Sequence, residues 1–341
     1  MIDKEKPITR RGFLFHSGRR TIGSLISWTG RPVLLLFTAL CLSGSFAGAG
    51  EEKGESRGAK QVVRTAFGAG RWFPADGREL GEIVDGFIEK ARVPAFRRRI
   101  VGAVSPHAGY IYSGRVAGYT FRALRDNAAE HGVPEVAVVL GFSHRARFEG
   151  VALMDGDAIQ TPLGPAPLHG EAARILADQG PRIYFDHRPH RGEHSAENQI
   201  PFLQRALPGA RLVIALMGNH DPHTLDDLVK ALDTLSKRMK IVVIASSDML
   251  HDPDYNLVTR TDRETLKMME SMDYTGLGKG WTYSGQILCG IGPVLAVVRF
   301  SRIKGCRRGV VLTYRNSGDD FPEGRGRWVV GYGSVVFARD R

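Results

Sequence analysis

Cysteine is scarce in this 341-residue chain, with three copies at positions 41, 289 and 306. The first falls in an N-terminal leader, so the body holds only Cys289 and Cys306 and is no disulfide scaffold. Long apolar runs are missing as well. The apolar stretch of the leader, residues 33–42, is well short of the roughly twenty residues a membrane-spanning helix needs. No basic run and no RNA-type aromatic motif occurs, so nucleic acid is not an expected partner. Gly285 and Gly290 flank Cys289 but match no phosphate loop or dinucleotide fingerprint, and no such cofactor is expected. A Cys–His nucleophile built on Cys289 has no local protease-like surroundings. Internal repeats and low-complexity tracts are absent too.

What remains is ordinary globular material, 43% hydrophobic and 24% charged. The formal net charge is +11, of which the first fifty residues supply seven Lys/Arg against two Asp/Glu, leaving +6 for the rest. Those residues read as an export signal. Thr9-Arg10-Arg11-Gly12-Phe13-Leu14 has the twin-arginine arrangement, residues 33–42 supply an apolar segment, and Ala47-Gly48-Ala49 offers small residues for cleavage. The expected organisation is a signal over 1–49, a polar linker over 50–63 and a single domain over 64–341, exported to the periplasm or another extracytoplasmic space. The apolar segment begins some twenty residues after the Arg pair, which is late. An ordinary secretory leader or a false start therefore stays open. Lipidation of Cys41 is disfavoured because Leu40 is a poor residue before a lipidated cysteine.

The domain alternates strand-like and helix-like segments, which predicts an α/β fold with a central mixed, mostly parallel sheet flanked by helices. Strands are expected at 100–104, 136–140, 151–154, 211–216, 241–245, 310–314 and 328–337, and helices at 80–92, 116–124, 171–177, 196–207, 224–235 and 261–272. The last two strands, with no helix between them, predict an antiparallel or mixed edge. Pro201 inside 196–207 should kink that helix or mark its true start.

Ligand-type residues follow three of these strands. The first runs into Ser105-Pro106-His107-Ala108-Gly109-Tyr110, the second into Gly141-Phe142-Ser143-His144, and the third into Ser246-Ser247-Asp248-Met249-Leu250-His251. The crevice beyond the carboxyl ends of α/β strands is where ligands bind. Gly109 would let the backbone bend after His107, and Ser143 would orient His144. With Cys289, these residues predict a shared metal site. Thiolate, imidazole and carboxylate together suit iron, zinc or copper rather than calcium or magnesium, and three protein ligands with open positions would make a catalytic site. A second His/Glu group, residues 187–198, contains His194, read either as an acid/base or substrate contact near the metal or as the neighbour of a Ser195 helix cap. A Cys289–Cys306 bridge is the competing use of that thiol. The helix expected between them and the basic turn around Cys306 instead predict a free, surface-exposed Cys306 and a Cys289 buried at the pocket.

The order of motifs resembles the Memo family, also called AmmeMemoRadiSam system protein B. It is carried by Ala69-Gly70-Arg71-Trp72-Phe73, Pro106-His107-Ala108-Gly109-Tyr110, Gly141-Phe142-Ser143-His144, Thr161-Pro162-Leu163-Gly164, Glu193-His194-Ser195-Ala196-Glu197, Ser246-Ser247-Asp248-Met249-Leu250-His251 and Cys289-Gly290. The resemblance covers about residues 66–338. It implies a fold similar to class III extradiol ring-cleaving dioxygenases, which use non-haem iron(II). His107, His144 and Cys289 match the family's metal positions, and Asp248 and His251 its remaining pocket residues. Cys289 stands where the dioxygenases have a carboxylate, so ring cleavage does not simply carry over. Iron(II) is the first expectation for the cofactor, with copper or zinc open. The expected function is a metal-dependent oxidoreductase or dioxygenase-like enzyme acting on a small molecule. His251 would serve as general base, with Asp248 orienting it or taking a proton. A non-catalytic metal-handling or ligand-binding protein and a metal-dependent hydrolase are the alternatives. Partner proteins of the same system are a further expectation.

Overall fold

The computed structural model describes residues 61–340, so the leader and most of the linker lie outside the described residues. In chain order the strands are β1 Val63–Thr65, β2 Ile100–Ser105, β3 Val136–Phe142, β4 Val151–Leu153, β5 Ala158–Thr161, β6 Gly164–Pro167, β7 Ile183–Phe185, β8 Arg211–Met217, β9 Ile241–Ser246, β10 His251–Asp252, β11 Val310–Asn316 and β12 Val329–Ala338. The α-helices are α1 Gly77–Lys90, α2 Tyr110–His131, α3 Gly170–Ala177, α4 Ile200–Ala206, α5 Pro222–Arg238, α6 Tyr255–Glu270, α7 Tyr274–Gly280, α8 Ile291–Ile303 and α9 Ser317–Asp320. None is long and apolar enough to cross a membrane.

The main sheet runs β10-β12-β2-β9-β3-β8-β4-β7, with β11 on β12. Its centre, β2-β9-β3-β8, is parallel, while β12 lies antiparallel on β2 and β4 antiparallel on β8. The β11–β12 pair is antiparallel, as its helix-free connection predicts. Alternate residues of the central strands feed two cores. Val138, Val243 and Ala245 pack with α3, α5 and α8 on one face, whereas Val139, Val242 and Ile244 pack with α1, α2 and α4 on the other. Burial on both faces explains why these strands read as unbroken apolar runs. Because β9 lies between β2 and β3, the loops after all three open on one crevice.

Several boundaries differ from the expected ones for visible reasons. Helix α2 begins at Tyr110, six residues before the predicted start, because Gly114 interrupts the apolar pattern there; Gly118 follows within the predicted span. A Cβ at either would come within 2.4 or 2.6 Å of Phe87 on α1, so these glycines let the two helices touch. Strands β5 and β6 form a small sheet with β1, and Pro165 and Pro167 hid β6 from a strand reading. Pro201 sits in the first turn of α4 and marks its start. Cys306 is not surface-exposed but 4% exposed in the core. After α8, Gly305 adopts φ 88° and the Cys306 N–H reaches back to the Ser301 carbonyl at 3.0 Å, a Schellman-type end that tucks the thiol inward. Both Cys289 and Cys306 are free thiols, with Cys289 half-buried.

Candidate metal centre

His107 leaves β2 into a loop fixed by Asp248, whose Oδ1 accepts the backbone N–H groups of His107 at 2.7 Å and Ala108 at 3.2 Å. The ring is 1% exposed, and its Nδ1 lies 3.1 Å from Ser246 Oγ. That hydroxyl donates its one proton to the Ser195 carbonyl and accepts from Gln199 Nε2 at 2.8 Å. It can only accept from His107, so Nδ1 carries the proton and Nε2 presents a lone pair. Nε2 lies 3.3 Å from Cys289 Sγ. Burial, with the nearby His144, keeps the His107 pKa well below the ordinary imidazole value, which favours the neutral form a ligand needs.

His144 follows β3 and faces the crevice. Ser143 does not orient it, because the Ser143 hydroxyl accepts the Ala146 N–H. Glu193 does so instead. It takes the His144 ring Nδ1–H at 2.9 Å and backbone N–H at 2.7 Å, together with the N–H groups of His194 and Ser195, each at 2.8 Å. Burial alone would raise the Glu193 pKa, but the His144 ring and these amides outweigh it and hold it at about 2. His144 Nε2 is thereby left free. Gly109, at φ −52°, has a backbone any residue adopts, so it is not needed as a bend after His107. Gly141 is needed, since a Cβ there would lie 2.6 Å from Ser195 Oγ and 2.9 Å from Ala196 N.

Cys289 closes the cluster just before α8. Its Sγ accepts the Asp248 N–H at 3.1 Å and lies 3.7 Å from Ser247 Oγ. Burial, followed by the Asp248 charge, pushes the thiol pKa well above its usual value. A bound metal cation would reverse that preference. The ligand atoms of His107, His144 and Cys289 all lie within 4.8 Å of one another. Two imidazoles with free Nε2 atoms and one thiol at such spacing fit a small transition-metal ion with open positions. His144, Glu193 and His194 are equally close. There, however, the Glu193 oxygens are occupied by four N–H donors, so that carboxylate supports the centre.

His194 is stacked between Trp72, at 3.7 Å and 1°, and His144, at 4.6 Å and 20°. Burial, with His107 and His144 beside it, lowers its pKa to about 3, so near neutrality it accepts rather than donates as an acid. No hydrogen bond joins Asp248 to His251; its Oδ1 serves the His107 loop, and its charge acts on His251 only through space, opposing the lowering of that ring's pKa by burial. His251 lies on β10, edge-on to Trp328 at 5.9 Å, with its Nε2 buried and unpartnered. Burial lowers its pKa. A cavity of about 590 Å3 joins these groups, lined by His144, His194, Asp248 and His251 and by aromatic rings including Trp72, Tyr112 and Trp328.

Sequence reasoning missed Glu193, Ser246 and Trp72 as working parts of the site. The density of His and Glu over 187–198 was the available signal for Glu193; nothing in the sequence marks Ser246 as the proton acceptor of His107.

The profile of the Memo-like protein family matches residues 64–336. The chain belongs to the Memo family. A MEMO1 family protein of Methanopyrus kandleri is 32% identical over 288 residues, covering 82% of this chain and 100% of that relative. Another from Methanothermobacter thermautotrophicus is 33% identical over 266 residues, covering 76% of this chain and 95% of the relative. A solved structure, of an uncharacterized protein from Escherichia coli K12, is similar at a TM-score of 0.44 with 14% identity, covering 70% of this chain and 99% of that one. Membership of the Memo family rests on the sequence matches, and in this Memo-family chain the His/Cys/Glu groups are placed so as to be able to bind a metal ion.

Proposed function

We propose that this protein is a metal-dependent oxidoreductase in which His107, His144 and Cys289 hold one transition-metal ion, iron(II) before copper or zinc. The observation that carries the reading is the convergence of three ligand atoms within 4.8 Å. Their two imidazoles are each fixed with Nε2 free, by Ser246 and by Glu193. When bound, the metal would polarise a small molecule or pass electrons to it. The cavity beside His144 would hold that small-molecule substrate. His251 would take a proton from it, a role supported by its buried Nε2 having no hydrogen-bond partner, and neutral His194 would accept a hydrogen bond. Trp72 keeps His194 in place and shields it from water. Ring cleavage itself is not proposed, because the third ligand would be a thiolate rather than a carboxylate. Residues 1–49 would direct export, and partner proteins of the same system would work with the enzyme.

The test is metal analysis of anaerobically purified protein, followed by spectroscopy with added nitric oxide. A stoichiometric metal whose spectrum shifts with nitric oxide supports an open catalytic centre. A bound metal that ignores nitric oxide favours a carrier that saturates the ion with protein ligands, and no metal at all sinks the reading.

A further inference from the structure

Cys289 is approached from a side that the cavity beside His144 does not include. A second cavity, of about 640 Å3, is lined by Cys289, His251 and Trp328, by Leu257 and Thr261 of α6, and by residues 282–287. His251 and Trp328 line both cavities and so stand between them. A smaller cavity of about 180 Å3 also touches Cys289, and Tyr283 and Gln286 line it together with the second one. Residues 282–287 therefore cover the cysteine with space on either flank.

This segment is bonded mainly to itself. Gly285 N–H donates to the Thr282 carbonyl at 3.2 Å and hydroxyl at 2.9 Å, Thr282 N–H to the Gly285 carbonyl at 3.3 Å, and Ile287 N–H to the same carbonyl at 3.1 Å. Among the described residues no hydrogen bond joins 282–287 to another element, and Tyr283 is 86% exposed. The two ends are fixed. Trp281 donates its indole N–H to the Leu288 carbonyl at 2.9 Å and meets His220 edge-on at 4.7 Å. Ile287 alone of the segment packs against the hydrophobic core, so a loop with tied ends can lift by releasing that contact without breaking hydrogen bonds to the body. The second cavity also has a distinct chemistry. Asp252 is its one ordinary charged group, with no Lys or Arg, while Thr261, Thr282, Ser284 and Gln286 offer neutral hydrogen-bonding groups.

We propose that residues 282–287 are a movable cover over a second ligand site, which admits a small, neutral, hydrogen-bonding molecule to Cys289 and His251 independently of the first cavity. This rests on the metal reading only for what that molecule would meet at the centre. Route and selectivity are testable without metal, so the two can fail separately.

The probe is alkylation of Cys289 in metal-free full-length protein, followed by peptide mass mapping, with iodoacetamide as the neutral reagent and iodoacetate as its anionic counterpart. The native protein should prefer iodoacetamide by about tenfold more than the unfolded protein does, because Asp252 repels the anion and no cation receives it. Leu257→Trp, filling the second cavity, should slow alkylation about tenfold through lost access. Thr261→Trp repeats the test one turn on should the first variant not fold. Gly324→Trp narrows the first cavity at a position where a Cβ meets nothing within 4 Å, and it should leave the rate unchanged. Slowing by Gly324→Trp but not by either α6 variant would overturn the proposal, as would a charge preference equal to that of the unfolded chain. So would a native Cys289 that resists both reagents even after the pH is raised far enough to ionise the thiol in the folded protein, since the raised thiol pKa alone slows alkylation near neutrality.

Discussion

Glu193 holds His144 at two points, the ring Nδ1 at 2.9 Å and the backbone N–H at 2.7 Å, with one carboxylate. The same group that sets where the loop after β3 sits thus also sets which ring nitrogen faces the crevice. In Glu193→Gln one oxygen becomes an NH2 that confronts N–H donors, while shape and volume are nearly kept. Metal affinity should fall by about 10–100-fold, the usual effect of losing a carboxylate behind a ligating histidine. Competition against a chelator of known affinity measures this. An unchanged affinity would mean that His144 is no ligand.

The two cysteines of the domain should separate cleanly. Cys289→Ser should remove most of the bound metal, because the hydroxyl is a poor substitute for a thiolate on a soft ion. Cys306→Ser should leave metal content intact and cost about 1–3 kcal/mol in urea unfolding, since it places a hydroxyl in a core site only 4% exposed. Helix α8, thirteen residues long, lies between them. Equal stability losses with no change in metal from either would remove Cys289 from the centre.

The half of the site that was legible in the sequence is the half that local pattern controls. β2, β3 and β9 are buried on both faces, so each is an unbroken apolar run whose end is easy to find, and His107, His144 and Asp248 stand just beyond. The supports were not legible, because they reach across the chain. Glu193 is 49 residues from His144 and Ser246 is 139 from His107. Ser143 was the nearer candidate for orienting His144, yet its hydroxyl is used by the turn it begins. The same limit explains Cys306, where a basic turn pointed to the surface but the helix-ending bonds at Gly305 turn the thiol inward. β6 was hidden differently, by prolines that a short edge strand tolerates.

Export is tested through the leader. Replacing Arg10 and Arg11 by Lys should abolish twin-arginine transport of a fused reporter, because that pathway reads the Arg pair itself. Export that persists in the double variant would point to the general secretory route, and no export of the native fusion would point to a false start.

Glu197 makes the fold sensitive to pH near neutrality. Its carboxylate is 4% exposed and accepts the N–H groups of Phe67 at 2.6 Å and Gly68 at 3.2 Å, in the loop that carries Trp72 to His194. Burial outweighs these two bonds and raises its pKa from 4.5 to about 7. The folded state therefore binds this proton more tightly than the unfolded state does. Its contribution is intact below about pH 4.5 and is lost as pH rises through about 7, a loss on the order of 3 kcal/mol once the window is passed. Asp262, buried and raised to about 7, acts with the same sign. Urea unfolding at pH 5 and pH 8 should show the native protein losing stability at the higher pH, with Glu197→Gln losing less by on the order of 1–3 kcal/mol. Adding Asp262→Asn should flatten the profile further. If Glu197→Gln keeps the full pH dependence, the carboxylate is already ionised in place and the loop bearing Trp72 is held by a permanent anion.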